Sequence, residues 1–264
     1  MKFKLIILGL IFSVHSFASD TIQYSNNGVS FGMGRSKISF LSPITYRTFT
    51  IETISQKTKV FPNKENIFFY KIELGLHNNI NQNTMFHIGD NIFWGQYHKI
   101  SYVQNPVFKF YAGYAYLNNT NLYLKPDNIN NLLYTNFNNM AALVLVGSKQ
   151  FKNVYLKNTF SIPVYGLYYG STFSQNLPGI VEKESSIWSA SKLGSFNINT
   201  QICNDLICDF RIKYKNKGHQ TLRVQYGFEY AKLQLHNNIK ETIMHQITIS
   251  TLIKKTNYNH APTL

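Results

Sequence analysis

Between Thr221 and Ala231 the chain alternates without a break: Leu222, Val224, Tyr226, Phe228 and Tyr230 are apolar, with Arg223, Gln225, Gly227 and Glu229 between them. A helix, with its longer repeat, would scatter these residues around its circumference, whereas an extended strand puts the whole apolar set on one face. After a polar break at His236-Asn237-Asn238, the same phase resumes with Ile243, Ile247, Ile249 and Ile253 set against Thr242, Gln246, Thr248 and Ser250. The two runs read as one antiparallel hairpin. Its strands reach roughly ten residues or more, about twice the usual length of a soluble strand, and are long enough to cross a bilayer at a tilt.

The same pattern recurs upstream. Val29, Phe31 and Met33 alternate with Ser30 and Gly32, and a second strand is expected from about Tyr46 to Val60 after the Leu41-Ser42-Pro43 connection. Phe68, Tyr70, Ile72, Leu74 and Leu76 form one face of a third strand and Lys71, Glu73, Gly75 and His77 the other. In a barrel the first set meets lipid and the second lines the interior. The next strand carries Phe86, Ile88, Ile92 and Trp94, with Asp90 on the apolar phase. A bulge beside Gly89 that turns Asp90 inward is preferred to a turn at Gly89-Asp90-Asn91. A strand follows over Val107 to Leu117, and two more over Met140 to Ser148 and Val154 to Val164. The asparagine-rich stretch Asn118 to Asn139 and the Gly- and Pro-bearing stretch Tyr165 to Ile187 are expected as long loops. The preferred architecture is all-β, a closed antiparallel up-and-down barrel of about 10 to 12 strands, since strand plus turn consumes about 20 residues.

The amino terminus carries an address. Lys2 and Lys4 precede an apolar run from Leu5 to Val14, and Ser16-Phe17-Ala18 supplies the small residues a signal peptidase reads. Residues 1–18 are therefore expected as a signal peptide and 19–264 as a single domain. The apolar run is too short to span about 30 Å of hydrocarbon as a helix, and the richest later run, Met140 to Val146, is shorter still. Export is expected, to the outer membrane or, alternatively, the periplasm.

Composition agrees with strands in lipid. Aromatic residues reach 15%, with 20 Phe and 18 Tyr, and charged residues only 14%, against roughly 25% in ordinary soluble domains. Aromatics at that density suit interfacial girdles. The net charge of +14 is scattered, with no basic run longer than Lys254-Lys255, so nucleic acid is not an expected partner. Codon bias toward Asn, Lys and Ile explains the charge more simply than a basic functional patch does. If the charge acts, its first contact would be anionic lipid head groups. Outer-membrane lipid is the one partner expected, and protein partners stay open.

No cofactor, metal or catalytic set is expected. Cys203 and Cys208 flank Asn204-Asp205-Leu206-Ile207, and a hairpin there would bring them to disulfide distance, so a structural disulfide is preferred to two free thiols. A metal would need two further ligands that neither spacing nor a nearby histidine supplies. Lipid-hydrolysing barrels bring a serine and a histidine together on the wall, yet the mature chain has no His-x-Ser. His87 and Asp90, three apart, point to opposite faces unless the bulge intervenes. His98, His219, His236 and His245 lack a local serine or carboxylate at even spacing. Phosphate loops, dinucleotide fingerprints and zinc-protease helices are missing, and 12 acidic residues leave few carboxylate pairs.

Several short segments carry a family likeness: Gly28-Val29 through Gly32-Met33-Gly34-Arg35-Ser36, Leu41-Ser42-Pro43-Ile44 with Tyr46, Ile162-Pro163-Val164-Tyr165-Gly166, and Leu222-Arg223-Val224 with Tyr226. In these the chain resembles a family of exported Gram-negative proteins catalogued as a domain of unknown function. The resemblance implies a β-rich, outer-membrane-associated protein; it implies no activity, and no functional residue is carried over. Many outer-membrane barrels end on an aromatic residue, whereas Tyr258 to Leu264 trails past the last strand here. Three readings follow: a non-enzymatic outer-membrane barrel, structural or passively permeable; a lipid-modifying barrel enzyme of acyl hydrolase type; and a soluble periplasmic β-sandwich that binds a ligand. On the first, Val224 meets hydrocarbon, and an arginine at the inward Gln225 is tolerated if the interior is wet.

Overall fold

A computed structural model describes residues 21–38, 44–81, 83–100, 108–126, 133–151, 154–172, 192–198, 201–213, 220–235 and 238–257. The expected signal peptide, the Leu41-Ser42-Pro43 connection and the segment after Asn257 lie outside these residues. The strands are β1 (Thr21–Ile38), β2 (Thr45–Val60), β3 (Lys64–Asn78), β4 (Thr84–Lys99), β5 (Phe108–Leu124), β6 (Leu133–Gln150), β7 (Val154–Thr172), β8 (Lys192–Ser195), β9 (Gln201–Lys213), β10 (Gln220–Leu235) and β11 (Asn238–Asn257). Every pairing is antiparallel, β1 pairs with β11, and β6 with β7, so the sheet closes on itself.

The short β8 and β9 share one place in the wall: Tyr165–Tyr168 of β7 pairs with β8, and Val154–Ser161 with β9. The wall therefore has ten staves, within the expected range. One closed sheet, rather than two stacked ones, removes the β-sandwich alternative.

The alternation sorts the side chains inside out relative to a soluble protein. Phe31, Ile51, Leu74, Leu143 and Ile247 face outward and stay 53–57% exposed. Ser30, Thr48, Thr50, Glu52, Lys71 and His77 point into the lumen and are buried. The outward phases expected for the third strand and for the final hairpin hold, including Val224 outward and Gln225 inward. Apolar residues also fill part of the lumen. Ile67, Tyr97, Tyr111, Val144 and Val146 pack together toward the terminal end, the one that holds Thr21 and Asn257. Ile38, Tyr46, Met85, Tyr123 and Tyr134, near the strand ends that carry the connections 39–44, 79–83 and 125–132, pack at the other.

Three expectations are corrected. The stretch Asn118 to Asn139 is largely strand: β5 continues to Leu124 and β6 starts at Leu133, with Asn118↔Asn139, Asn119↔Asn138 and Asn121↔Asn136 paired across. Asparagine favours turns locally, but a closed wall supplies a partner strand that overrides the preference. Likewise β7 runs on through Tyr165 to Thr172 before the long connection begins. Asp90 needs no bulge, because the ladders pass unbroken through Ile72↔Asp90 and Asp90↔Thr120. It sits on the outward phase, on the same outer face as its partner Thr120 and as Asn118 two residues along β5.

A bulge does occur, between β6 and β7. Ala141 pairs with Tyr165 and Ala142 with Pro163, leaving Val164 as the extra residue. Proline brings no N–H to the ladder, and a bulge is one of the few places a strand accommodates it. The Val164 carbonyl accepts the Phe196 N–H at 2.9 Å, just beyond the end of β8.

Candidate functional site

The lumen concentrates the charged residues. On β2 and β3 the inward phase sets Glu52 directly opposite Glu73, an arrangement that repels unless a cation intervenes. Lys71, two residues along β3 on the same face, supplies it. Its Nζ lies 3.3 Å from Glu52 Oε1, 3.3 Å from Glu73 Oε2 and 3.7 Å from Glu229 Oε2 of β10. Gln246 of β11 donates from Nε2 to Glu52 Oε1 at 2.8 Å, and His87 Nδ1 stands 3.4 Å from Glu73 Oε1. Five strands thus meet on one charge cluster in mid-barrel. Lys71 is 5% exposed and Glu52 1%.

A second pair lies toward the terminal end. Arg223 of β10 donates from Nε and Nη2 to Asp209 Oδ2 of β9 at 3.0 and 2.8 Å. Asn26, with its amide nitrogen donating to Ser250 Oγ at 2.8 Å, accepts from Arg223 Nη1 at 3.2 Å. At the loop end the rings of His87 and Tyr123 stack with centroids 4.5 Å apart, and His77 lies 5.5 Å from His87. His87 Nε2 meets Asn121 Oδ1 at 2.7 Å, and Asn121 Nδ2 donates to Asn136 Oδ1 at 2.8 Å. Of the asparagines that resemble a loop in the sequence, Asn119, Asn121 and Asn136 hydrogen-bond in the lumen.

A serine and a histidine do converge. Ser36 Oγ is 3.0 Å from His77 Nδ1, and Thr48 Oγ1 is 2.9 Å from the same nitrogen. The pair faces the lumen, Ser36 and His77 are each 3% exposed, and His77 Nε2 has no hydrogen-bond partner among the described residues. A hydrolytic serine needs a base oriented by a third group and a path for substrate. Among the described residues no third group reaches His77 Nε2.

Other histidines stay apart from this network. His98 contacts Gln96 Nε2 at 3.0 Å in an exposed position, His245 meets the Tyr226 hydroxyl at 2.7 Å on the outer face, and His219 and His236 lie outside the described residues.

The disulfide expectation is corrected. Residues 201–213 form one continuous strand, so no hairpin separates Cys203 from Cys208, and both thiols are free. Five residues along a strand put them about 16 Å apart and on opposite faces. Cys203 faces the lumen opposite Ser161 and Ala231, and Cys208 faces outward opposite Tyr226.

No protein-family model matches the sequence, and no curated protein does. Solved structures do. The translocator domain of autotransporter NalP from Neisseria meningitidis is similar at 8% identity, over 91% of this chain and 90% of that one, with a TM-score of 0.48. The outer membrane protease OmpT from Escherichia coli is similar at 9% identity, over 91% and 97%, with a TM-score of 0.45. The transport unit of the autotransporter AIDA-I from Escherichia coli follows at 10% identity, over 92% and 93%, with a TM-score of 0.37. The barrel itself rests on the closed strand register.

Proposed function

We propose that this protein is an exported outer-membrane barrel with a structural role, its lumen held shut by its own ion-paired side chains. The observation that carries this reading is the mid-barrel cluster: Glu52 and Lys71 line the lumen halfway along their strands, yet are 1% and 5% exposed. In a water-filled channel, charged lining residues are hydrated. Here Glu52 and Lys71 are paired with one another, which favours the closed lumen over the passively permeable variant. The apolar exterior and strands of 13 to 20 residues, the short β8 aside, favour a bilayer setting. Short turns usually face the periplasm in such barrels. On that rule, the end carrying residues 61–63 and 151–153 is periplasmic, and the end carrying 125–132 and 173–191 faces outside.

Two measurements test the reading. A photocrosslinker at Val224 should capture acyl chains and one at Gln225 should not, with the protein staying in outer membranes through a high-salt wash. In planar bilayers the wild-type chain should give no steady conductance. Stable open-channel steps would overturn the closed-lumen reading, and solvent exposure at Val224 would overturn the membrane one.

A further inference from the structure

The register of the first hairpin sets two arginines face to face on the outer wall. Arg35 of β1 and Arg47 of β2 are cross-strand partners, both outward and exposed, and Lys37 lies one outward step further along β1. Directly opposite side chains have Cβ atoms about 5 Å apart, where like charges repel. Directly across from them the neighbouring strands place no carboxylate: Arg35 is flanked by Ile243 of β11, and Arg47 by Asn78 of β3. Glu241 is the register partner of Lys37 on the same outer face, the one carboxylate beside the cluster among the described residues. Among the described residues, the ion pairs involve neither arginine nor Lys37.

The position of the pair is as informative as its charge. One outward step toward the terminal end, the partners are Met33 and Phe49, 61% and 43% exposed. The next are Phe31 and Ile51, 53% and 54% exposed. The guanidiniums thus stand where the apolar wall stops, at its loop end. Guanidinium forks match phosphate oxygens bidentately, and an ammonium adds a point charge beside them. A ligand that satisfies both halves of this surface has a phosphorylated head and apolar chains running down over Met33, Phe49 and Phe31.

We propose that Arg35, Arg47 and Lys37 form a binding site for the phosphorylated headgroup of a membrane lipid in the leaflet at the loop end. The site rests on the membrane reading above. The opposite rim provides the contrast. Lys57 and Lys59 are also outward and exposed, but they follow one another on one strand and face Ser25, Phe68, Gln23 and Asn66 rather than another cation.

The full chain, first inserted into phosphatidylcholine vesicles and then extracted in neutral detergent, is titrated with phosphatidic acid and bound lipid is counted by native mass spectrometry. The variant Arg35→Gln/Arg47→Gln should lose affinity roughly thirtyfold, the effect of two basic side chains at a membrane surface. The control Lys57→Gln/Lys59→Gln removes the same charge and should stay within about threefold. Arg35→Lys/Arg47→Lys, which keeps the charge and loses the forks, should fall between them. Relief of like-charge repulsion leaves the fold intact, which far-UV circular dichroism checks. Equal losses in the two Gln pairs, or competition by inorganic phosphate at the affinity of the lipid, would overturn the headgroup site while leaving the membrane reading standing. Failure of the wild type to insert into phosphatidylcholine vesicles would remove both.

Discussion

Removing the Lys71 ammonium would leave the buried Glu52 facing Glu73 and Glu229, whose side chains are 20% and 30% exposed. Breaking a buried pair from one side costs about 3–5 kcal/mol, because the remaining charge keeps its desolvation penalty. Lys71→Met should cost that much in urea unfolding of the barrel. Adding Glu52→Gln should recover part of the loss, and strict additivity in the double-mutant cycle would contradict the coupling. The cysteines give a second test at this scale. Non-reducing peptide mapping should recover Cys203 and Cys208 in unlinked fragments, and a lipid-soluble maleimide should label the outward Cys208 well ahead of the lumen-facing Cys203. Equal labelling rates would move one of them to the other face. Such partnerships were not legible in the sequence: Ser36 meets His77 across 41 residues, His87 meets Asn121 across 34, and Gln246 meets Glu52 across 194. Periodicity tells which face a side chain takes, whereas only the register tells what it touches. The tolerance of Gln225→Arg is tied to a wet interior, and the register sets Gln225, 9% exposed, opposite Asp209 instead of open water.

Among the elements, the stave made of β8 and β9 is the least continuous. It is broken between Ser195 and Gln201 and faces the β7 bulge at Val164, whereas β1 is paired along its length with both β2 and β11. Ladder bonds protect amides from solvent, so local opening begins where they are fewest. Hydrogen exchange followed by mass spectrometry should show peptides covering 192–201 exchanging first and those from β1 last; uniform protection around the wall would contradict this seam. Most elements could be read from the sequence because two-residue alternation is a local signal, and the strand from Tyr46 to Val60 matched to within one residue. The ends of β5, β6 and β7 could not, because their Asn and Gly residues carry turn preferences that only a neighbouring strand overrules.

At the scale of the whole molecule, a closed wall leaves no edge strand to be paired, so ten staves stabilise one another all around the ring. On the export proposed above, that wall first travels as a thread. A secreted chain passes through the inner membrane's export channel lengthwise, and a stretch of about twenty apolar residues would leave it sideways into the lipid and stop there. The richest apolar run after the amino-terminal one, Met140 to Val146, is preceded by Asn138 and Asn139, with Thr135 and Asn136 a little further upstream. In the finished barrel Asn136 accepts from Asn121 inside the lumen; in transit, these polar residues keep the run too short to be mistaken for a membrane helix. Replacing Thr135, Asn136, Asn138, Asn139 and Ser148 by leucine would join residues 132–148 in one unbroken apolar segment of 17 residues, the lower limit for a spanning helix. The expected outcome is arrest in the inner membrane, seen by fractionation, and export at the wild-type level would show that these residues serve the folded wall alone. The asparagine ladder is then a pass that the chain carries while it is still unfolded, as well as a fastening it uses afterwards.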